Sequence, residues 1–82
     1  MSKLEERMRL AAAILRFLKE GPKRYTTLMR LVLDLQGTPS RFTYLLRWLE
    51  ERGYVEKTGR KETSAPWRIT EKGRKFFEAI SN

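Results

Sequence analysis

The stretch that decides the fold runs from Thr38 to Gly53 and reads TPSRFTYLLRWLEERG. Thr38 can cap the amino terminus of a helix, Pro39 suits the first helical turn, and Gly53 suits the left-handed conformation that ends a helix. Between these ends, apolar residues recur with the i, i+3, i+4, i+7 spacing of one helical face, at Phe42, Leu45, Leu46 and Leu49. We therefore predict one helix over residues 38–52 with a single buried stripe.

The opposite face of this predicted helix is polar, and its charge is uneven. The front of the helix, up to Arg47, contains two arginines and no acid, whereas its back contains Glu50 and Glu51. A helix with a basic, hydroxyl-rich and aromatic front suits insertion of that front into the major groove of DNA. An ordinary amphipathic helix on a protein surface would show the same pattern. The outer face and its flanks comprise Ser40, Arg41, Thr43, Tyr44, Arg47, Trp48 and Glu51.

Composition narrows the possible partners of the chain. Its 82 residues suffice for one domain, and 18 Lys and Arg against 10 Asp and Glu give a net charge of +8. Such an excess favours an anionic partner, first nucleic acid and then a membrane surface, although a solvated basic surface is the alternative. The chain contains neither Cys nor His. We therefore expect no disulfide, no metal, no cofactor and no enzymatic activity.

Hydropathy argues against a membrane protein. No apolar run approaches the roughly 20 residues that a spanning helix needs. The amino terminus has no long apolar segment and contains acids, unlike a signal peptide. We expect a cytoplasmic, nucleoid-associated protein.

The amino-terminal segment predicts a helix over residues 3–20, with Ser2 and Glu5 as a capping box and Gly21-Pro22 as its end. Its apolar sector covers about half of the circumference, more than one small core requires. Either the helix is well buried beneath its neighbours, or it also contacts a second subunit. We predict a homodimer through this helix, and the interface residues we expect are Leu10, Ile14 and Phe17.

The next segment predicts a helix-turn-helix over residues 26–53. Residues 23–25 follow a proline and suit a short edge strand, and Thr26 or Thr27 can cap a helix that runs to about Leu35. Gln36-Gly37 then forms a turn into the helix described above. Two helices joined by a short turn that contains Gly are typical of this motif.

The carboxy-terminal part predicts a hairpin over residues 54–70 and a last helix over 71–81. Tyr54-Val55-Glu56-Lys57 and Trp67-Arg68-Ile69-Thr70 have the aromatic and β-branched composition of strands, and a basic polar loop joins them. Thr70 can cap the final helix. We predict a single α+β domain over residues 1–82, mostly helical: a helix, a short strand, two helices, a hairpin and a helix. This order is that of a winged helix domain.

Two junctions resemble those of winged helix-turn-helix regulators, which include MarR-like, PadR-like and many archaeal proteins. Residues 49–55, LEERGYV, resemble the family's L-E-x-x-G-x-V motif, and residues 68–73, RITEKG, resemble its L-T-E-K-G motif. Ser40-Arg41-Phe42 stands where MarR-like proteins often have a Ser-Arg-Leu sequence. The resemblance covers about residues 10–80 and implies a DNA-binding transcriptional regulator.

The chain departs from MarR-like proteins at both ends. Those proteins have longer terminal helices, which build their dimer and part of an effector pocket. This chain has a last helix of about ten residues, so we expect neither that pocket nor a carboxy-terminal coiled coil. In size it is more similar to a minimal archaeal, plasmid or viral regulator.

A winged helix would place the front of helix 38–52 in the major groove. Arginine can read guanine, while Thr and Tyr can reach phosphates or a thymine methyl group. The base-reading residues we expect are Ser40, Arg41, Thr43, Tyr44 and Arg47. The residues expected on the DNA backbone or in the wing are Lys23, Arg24, Thr26, Thr27, Lys57, Arg60 and Lys61.

Several roles remain open from the sequence. Trp48 and Trp67 suit packing between helix and sheet better than base stacking, and Arg7, on the apolar sector, either emerges at the helix end or pairs across a dimer. Lys72, Arg74 and Lys75 either contact phosphates or solvate the last helix. Besides a sequence-specific regulator, the same fold could serve as an architectural DNA-binding protein, an RNA-binding module of a ribonucleoprotein or a protein-interaction domain.

Overall fold

Four α-helices and a two-stranded antiparallel sheet are seen in the computed structural model, which describes residues 3–59 and 65–81. The chain is therefore α+β and mostly helical, as predicted. The helices are α1 (Lys3–Lys19), α2 (Tyr25–Leu33), α3 (Pro39–Glu51) and α4 (Glu71–Ile80), and the strands are β1 (Val55–Lys57) and β2 (Trp67–Ile69). None of the described helices is both long and apolar enough to cross a membrane.

Both predicted ends of α3 are confirmed. The Thr38 hydroxyl accepts a hydrogen bond from the backbone N–H of Arg41 at 3.3 Å, and Pro39 begins the helix. Gly53 has a φ of +80°, which L side chains rarely adopt. The predicted stripe is buried: Phe42, Leu45, Leu46 and Leu49 all belong to the core. The side chains on the other side of α3 therefore face solvent.

Helix α1 lies at the centre of the fold and contacts α2, α3, α4 and β2. Its Leu10 and Ile14 side chains are 3% and 0% exposed, so the assignment of these two residues to a dimer interface is wrong. The wide apolar sector of α1 is covered by elements of the same chain, which was the alternative explanation of its width. Phe17 is half-buried against the same core. Leu4, at the start of the helix, is exposed, and Ser2 lies outside the described residues.

Helix α2 begins earlier and ends earlier than predicted. Arg24 is its N-cap residue and makes no side-chain capping bond, so neither Thr26 nor Thr27 caps it. The reason is tertiary: the Tyr25 ring packs edge-on against Phe42, with ring centroids 5.4 Å apart, and this contact brings Tyr25 into the first turn. The helix ends at Leu33, so Leu35 lies beyond it and is exposed.

The predicted edge strand over residues 23–25 is reduced to one bridge. Lys23 and Trp67 exchange two backbone hydrogen bonds, at 2.9 Å and 2.7 Å. The ladder cannot continue because Arg24 occupies the N-cap position of α2 and Tyr25 is helical. The segment before α2 is nevertheless attached to the sheet by this bridge.

The hairpin pairs β1 with β2 in the register Val55 to Ile69, Glu56 to Arg68 and Lys57 to Trp67. Val55 and Ile69 are buried and close one end of the core. On the other face, Arg68 and Glu56 form an ion pair. Beyond the strands, the backbone N–H and the hydroxyl of Thr58 both donate to the Pro66 carbonyl at 2.8 Å. The strands predicted within residues 54–70 are thus confirmed.

Thr70 connects the hairpin to α4. Its hydroxyl accepts a hydrogen bond from the Gly73 N–H at 3.0 Å, which confirms the predicted cap. The same hydroxyl donates to the Gly53 carbonyl at 2.6 Å. Thr70 thereby joins the end of the α3 region to the start of α4, and the two sequence junctions at residues 49–55 and 68–73 meet in space.

Candidate nucleic-acid interface

The front of α3 presents all five predicted base-reading residues to solvent. Because the apolar stripe of α3 is buried, these five residues lie on the faces of the helix that point away from the core. The aromatic ring of Tyr44 is notable among them, since the residue is 56% exposed although it is large and partly apolar. The exposed set is Ser40, Arg41, Thr43, Tyr44 and Arg47.

The charge along α3 is polarised. The first turn contains no acidic residue. Glu50 and Glu51 are exposed near the other end of the helix. Glu51 lies eleven positions after Ser40, which corresponds to about 16 Å along the axis of a helix. This separation exceeds the roughly 8 Å Debye length at physiological salt, so the two acids affect an anion beside Ser40 only weakly. Arg47 is closer to them, because it lies one helical turn before Glu50 and Glu51.

The amino terminus of α2 lies beside the front of α3. A hydrogen bond joins the Tyr25 and Thr43 hydroxyls. This contact places Arg24, Thr26 and Thr27, all exposed, next to the face described above. The first turn of α2 has neither an acid nor a side-chain cap. Its free N–H groups and the positive end of its dipole therefore favour an anion at this position.

The Thr43 hydroxyl is already satisfied within the protein. It donates to the Pro39 carbonyl at 3.0 Å and pairs with Tyr25. Its methyl group is the part of the side chain that remains for contact with a ligand.

The other predicted backbone contacts divide into three groups. The Lys23 side chain is only 18% exposed, and its Nζ lies 3.7 Å from a Glu20 carboxylate oxygen, so it is poorly placed to bind a phosphate. Lys57 is half-buried at the end of β1. Arg60 and Lys61 lie outside the described residues.

Two contacts from α1 to the front of α3 had no counterpart in the sequence analysis. Arg41 Nη1 lies 3.2 Å from Glu6 Oε2. The Arg7 guanidinium lies over the Tyr44 ring, 5.8 Å from its centroid. Arg7 could have been singled out from the sequence, because a charged residue on the apolar sector of α1 is unusual. No feature of the sequence near Glu6 indicated its contact with Arg41. Arg7 thus contacts α3 of its own chain.

A cleft of about 460 Å³ separates the amino-terminal half of α1 from the front of α3. Its floor includes Leu10 and Leu45, and its walls include Ser40, Tyr44 and Gln36. Its charged lining is strongly basic, because four cationic side chains face one carboxylate, that of Glu6. The four are Lys3, Arg7, Arg9 and Arg41.

The back of α3 is structural. Trp48 contacts Tyr54 and Phe76, with ring centroids 6.1 Å apart in both pairs, and Tyr54 stacks on Phe76 at 4.2 Å. Trp48 therefore packs within the protein as predicted, but its ring partners are Tyr54, just before β1, and Phe76 of α4, not residues of the strands. Trp67 is likewise half-buried against the core. Aromatic stacking thus holds the back of α3 against α4 and the hairpin, and leaves the front as the exposed polar surface.

The basic residues of α4 have a separate location. Lys72 Nζ lies 5.4 Å from the centroid of the Tyr54 ring, on the side of the structural cluster. Arg74 and Lys75 are exposed. Helix α4 contacts the far half of α1, where Lys19 lies over the Phe77 ring.

Comparison with known proteins gave no match: no family model, curated protein or solved structure is significantly similar to the chain. Within residues 3–59 and 65–81, acidic side chains nowhere form a group of three that could hold a metal ion. The exposed groups at the front of α3 and the start of α2 are cations, hydroxyl groups and a helix terminus.

Proposed function

We propose that the chain is a winged helix DNA-binding protein, a sequence-specific transcriptional regulator that inserts the front of α3 into the major groove. The observation that carries this proposal is the exposed, acid-free front of α3 beside the uncapped amino terminus of α2. Such a surface supplies base-reading side chains and a phosphate-binding helix terminus side by side.

The arrangement of elements supports the winged helix assignment. Helices α2 and α3 are joined by five residues, 34–38, and pack against each other as the helices of a helix-turn-helix do. A hairpin and a returning helix follow, and the Lys23 bridge adds a third chain segment beside the sheet. The resemblance of the two sequence junctions points the same way.

Base reading would depend chiefly on arginine. Arg41 and Arg47 can each make two hydrogen bonds to guanine O6 and N7, and the Thr43 methyl group can contact a thymine methyl. Tyr44 would reach a base edge or a phosphate. Phosphate binding by Arg24 and the first turn of α2 would fix the position of α3 in the groove.

The wing would contact the DNA backbone or the adjacent minor groove through Lys57, Arg60 and Lys61. Arg68 is not included, because two nitrogens of its guanidinium, Nε and Nη2, already contact the Glu56 carboxylate. If two protomers bind together, their recognition helices should read half-sites about 34–36 Å apart. Leu10 and Ile14 take no part in such a dimer, since both are buried.

Selection of duplexes from a random pool at physiological salt tests this proposal. We expect a sharp consensus of a few base pairs, and a two-fold symmetric consensus would indicate a homodimer. A flat distribution of selected sequences would contradict a sequence-specific regulator. Competition of the selected duplex with structured RNA distinguishes DNA binding from a ribonucleoprotein role.

An architectural, sequence-independent DNA-binding protein is the second candidate. It is favoured by the net charge of +8 on 82 residues, which provides affinity for any duplex. In that case the selection gives no consensus, yet random duplexes bind with a strong dependence on salt.

A further inference from the structure

We propose that Glu6 of α1 positions Arg41 for reading a base and thereby increases sequence specificity at the expense of total affinity. This inference rests on the proposed function, because it concerns the same surface. It assigns a role to α1, a helix outside the helix-turn-helix.

The contact is suited to orientation more than to folding. Arg41 Nη1 donates to Glu6 Oε2 at 3.2 Å, and the two side chains are 60% and 46% exposed. An ion pair this open to water contributes little to the free energy of unfolding. A guanidinium has five N–H donors, so one bond to Glu6 leaves the others free for the two acceptors of guanine.

A second contact keeps the same edge of α1 against α3. Arg7, the next residue along α1, lies over the Tyr44 ring, and Tyr44 is three residues beyond Arg41. Consecutive residues of α1 therefore contact two successive residues of one face of α3. Because Leu10 and Leu45 are buried beneath these contacts, the distance between the two helices is set by the core.

Glu6 should affect specific and non-specific binding by different amounts. Arginine that is already oriented loses less rotamer freedom when it binds a base, which favours the correct duplex. A carboxylate beside that arginine repels phosphates and offsets one positive charge, which weakens binding to every duplex. Specificity is the ratio of the two affinities, so the orientation of Arg41 increases it, whereas the added negative charge lowers both affinities and leaves their ratio nearly unchanged.

Glu6→Gln tests the inference, with Glu78→Gln as the matched control. Both changes remove one negative charge from an exposed helical residue, but Glu78 lies on α4, away from the front of α3. Affinities of the full chain for its selected duplex and for a random duplex are measured at several salt concentrations.

We expect Glu6→Gln to increase affinity for the random duplex and to lower the specificity ratio about threefold to tenfold. Glu78→Gln should leave the ratio unchanged. In the free protein, nuclear spin relaxation of the Arg41 Nε–H should show greater mobility after Glu6→Gln.

An unchanged or increased ratio in Glu6→Gln would overturn the inference while the proposed function stands, and so would a lower ratio with Arg41 as ordered as before. If the wild-type chain has no preferred duplex, the proposed function fails first and the inference fails with it.

Discussion

The backbone N–H of Thr70 donates to the carbonyl of Tyr54 at 3.0 Å, and the Thr70 hydroxyl lies 3.0 Å from the same oxygen. This relationship fixes the start of α4 against the segment that follows α3. It also brings Gly73 onto the Tyr54 backbone, where a Cβ atom on residue 73 would lie 2.0 Å from the carbonyl oxygen. The close approach explains why the third residue of α4 has no side chain.

Gly73→Ala should destabilise the protein by about 2–4 kcal/mol, because the added methyl group forces a backbone shift. The better helix propensity of alanine, about 1 kcal/mol, does not compensate for this overlap. Urea unfolding followed by circular dichroism measures the change. Lys75→Ala, at an exposed position of the same helix, should change stability by less than about 0.5 kcal/mol. Equal stability of Gly73→Ala and the wild type would show that α4 lies farther from Tyr54.

Ile14→Val should lower the free energy of unfolding by about 0.5–1.5 kcal/mol and leave the oligomeric state unchanged. The reason is that Ile14 is fully buried in the core of its own chain. Urea unfolding and analytical ultracentrifugation, both at several protein concentrations, separate the two effects. If Ile14→Val weakened self-association and left the stability of the monomer unchanged, Ile14 would instead lie in a subunit interface.

Arg47→Ala should weaken discrimination at one or two base pairs by about 1–3 kcal/mol, the usual value of a bidentate arginine contact. Binding to the selected duplex and to single-base variants of it provides the measurement. Arg74→Ala removes the same charge from α4 and should alter all of these affinities by a common factor. If Arg47→Ala behaves like Arg74→Ala, residue 47 contacts phosphates only.

Arg24→Ala should reduce the slope of log K against log salt by about 0.9, the contribution of one phosphate contact. With about four such contacts per protomer, the wild-type slope should be near −3.6 for a monomer and −7 for a dimer. Titrations at a series of salt concentrations give both values. Lys23→Ala is the comparison: because Lys23 is paired with Glu20, its loss should change the slope much less. A slope that Arg24→Ala does not alter would exclude this residue from the phosphate contacts.

Local signals were sufficient where the structure depends on local chemistry. Thr38 and Gly53 mark the ends of α3 because a hydroxyl cap and a left-handed glycine act within a few residues. The aromatic and β-branched composition of residues 54–57 and 67–70 likewise predicted the strands. The start of α2 was mispredicted because the packing of Tyr25 on Phe42, a contact between residues distant in the sequence, outweighs the capping preference of Thr26 and Thr27.

The errors at the candidate site have the same origin. Periodicity reveals that Leu10 and Ile14 are apolar, but not whether the chain itself or a second subunit covers them. The pairing of Glu6 with Arg41 joins residues 35 positions apart. Such a pair depends on how α1 crosses α3, which is set by the whole core and has no local signal.

The bridge between Lys23 and Trp67 has a mechanical consequence. Two backbone hydrogen bonds attach the entry of α2 to the first residue of β2, so the helix terminus and the hairpin cannot swing independently. A duplex bound as proposed would meet both at a constant separation. The number of base pairs between the contacts of α2 and those of β2 would then be fixed by this bridge. A longer hairpin loop would not change that number.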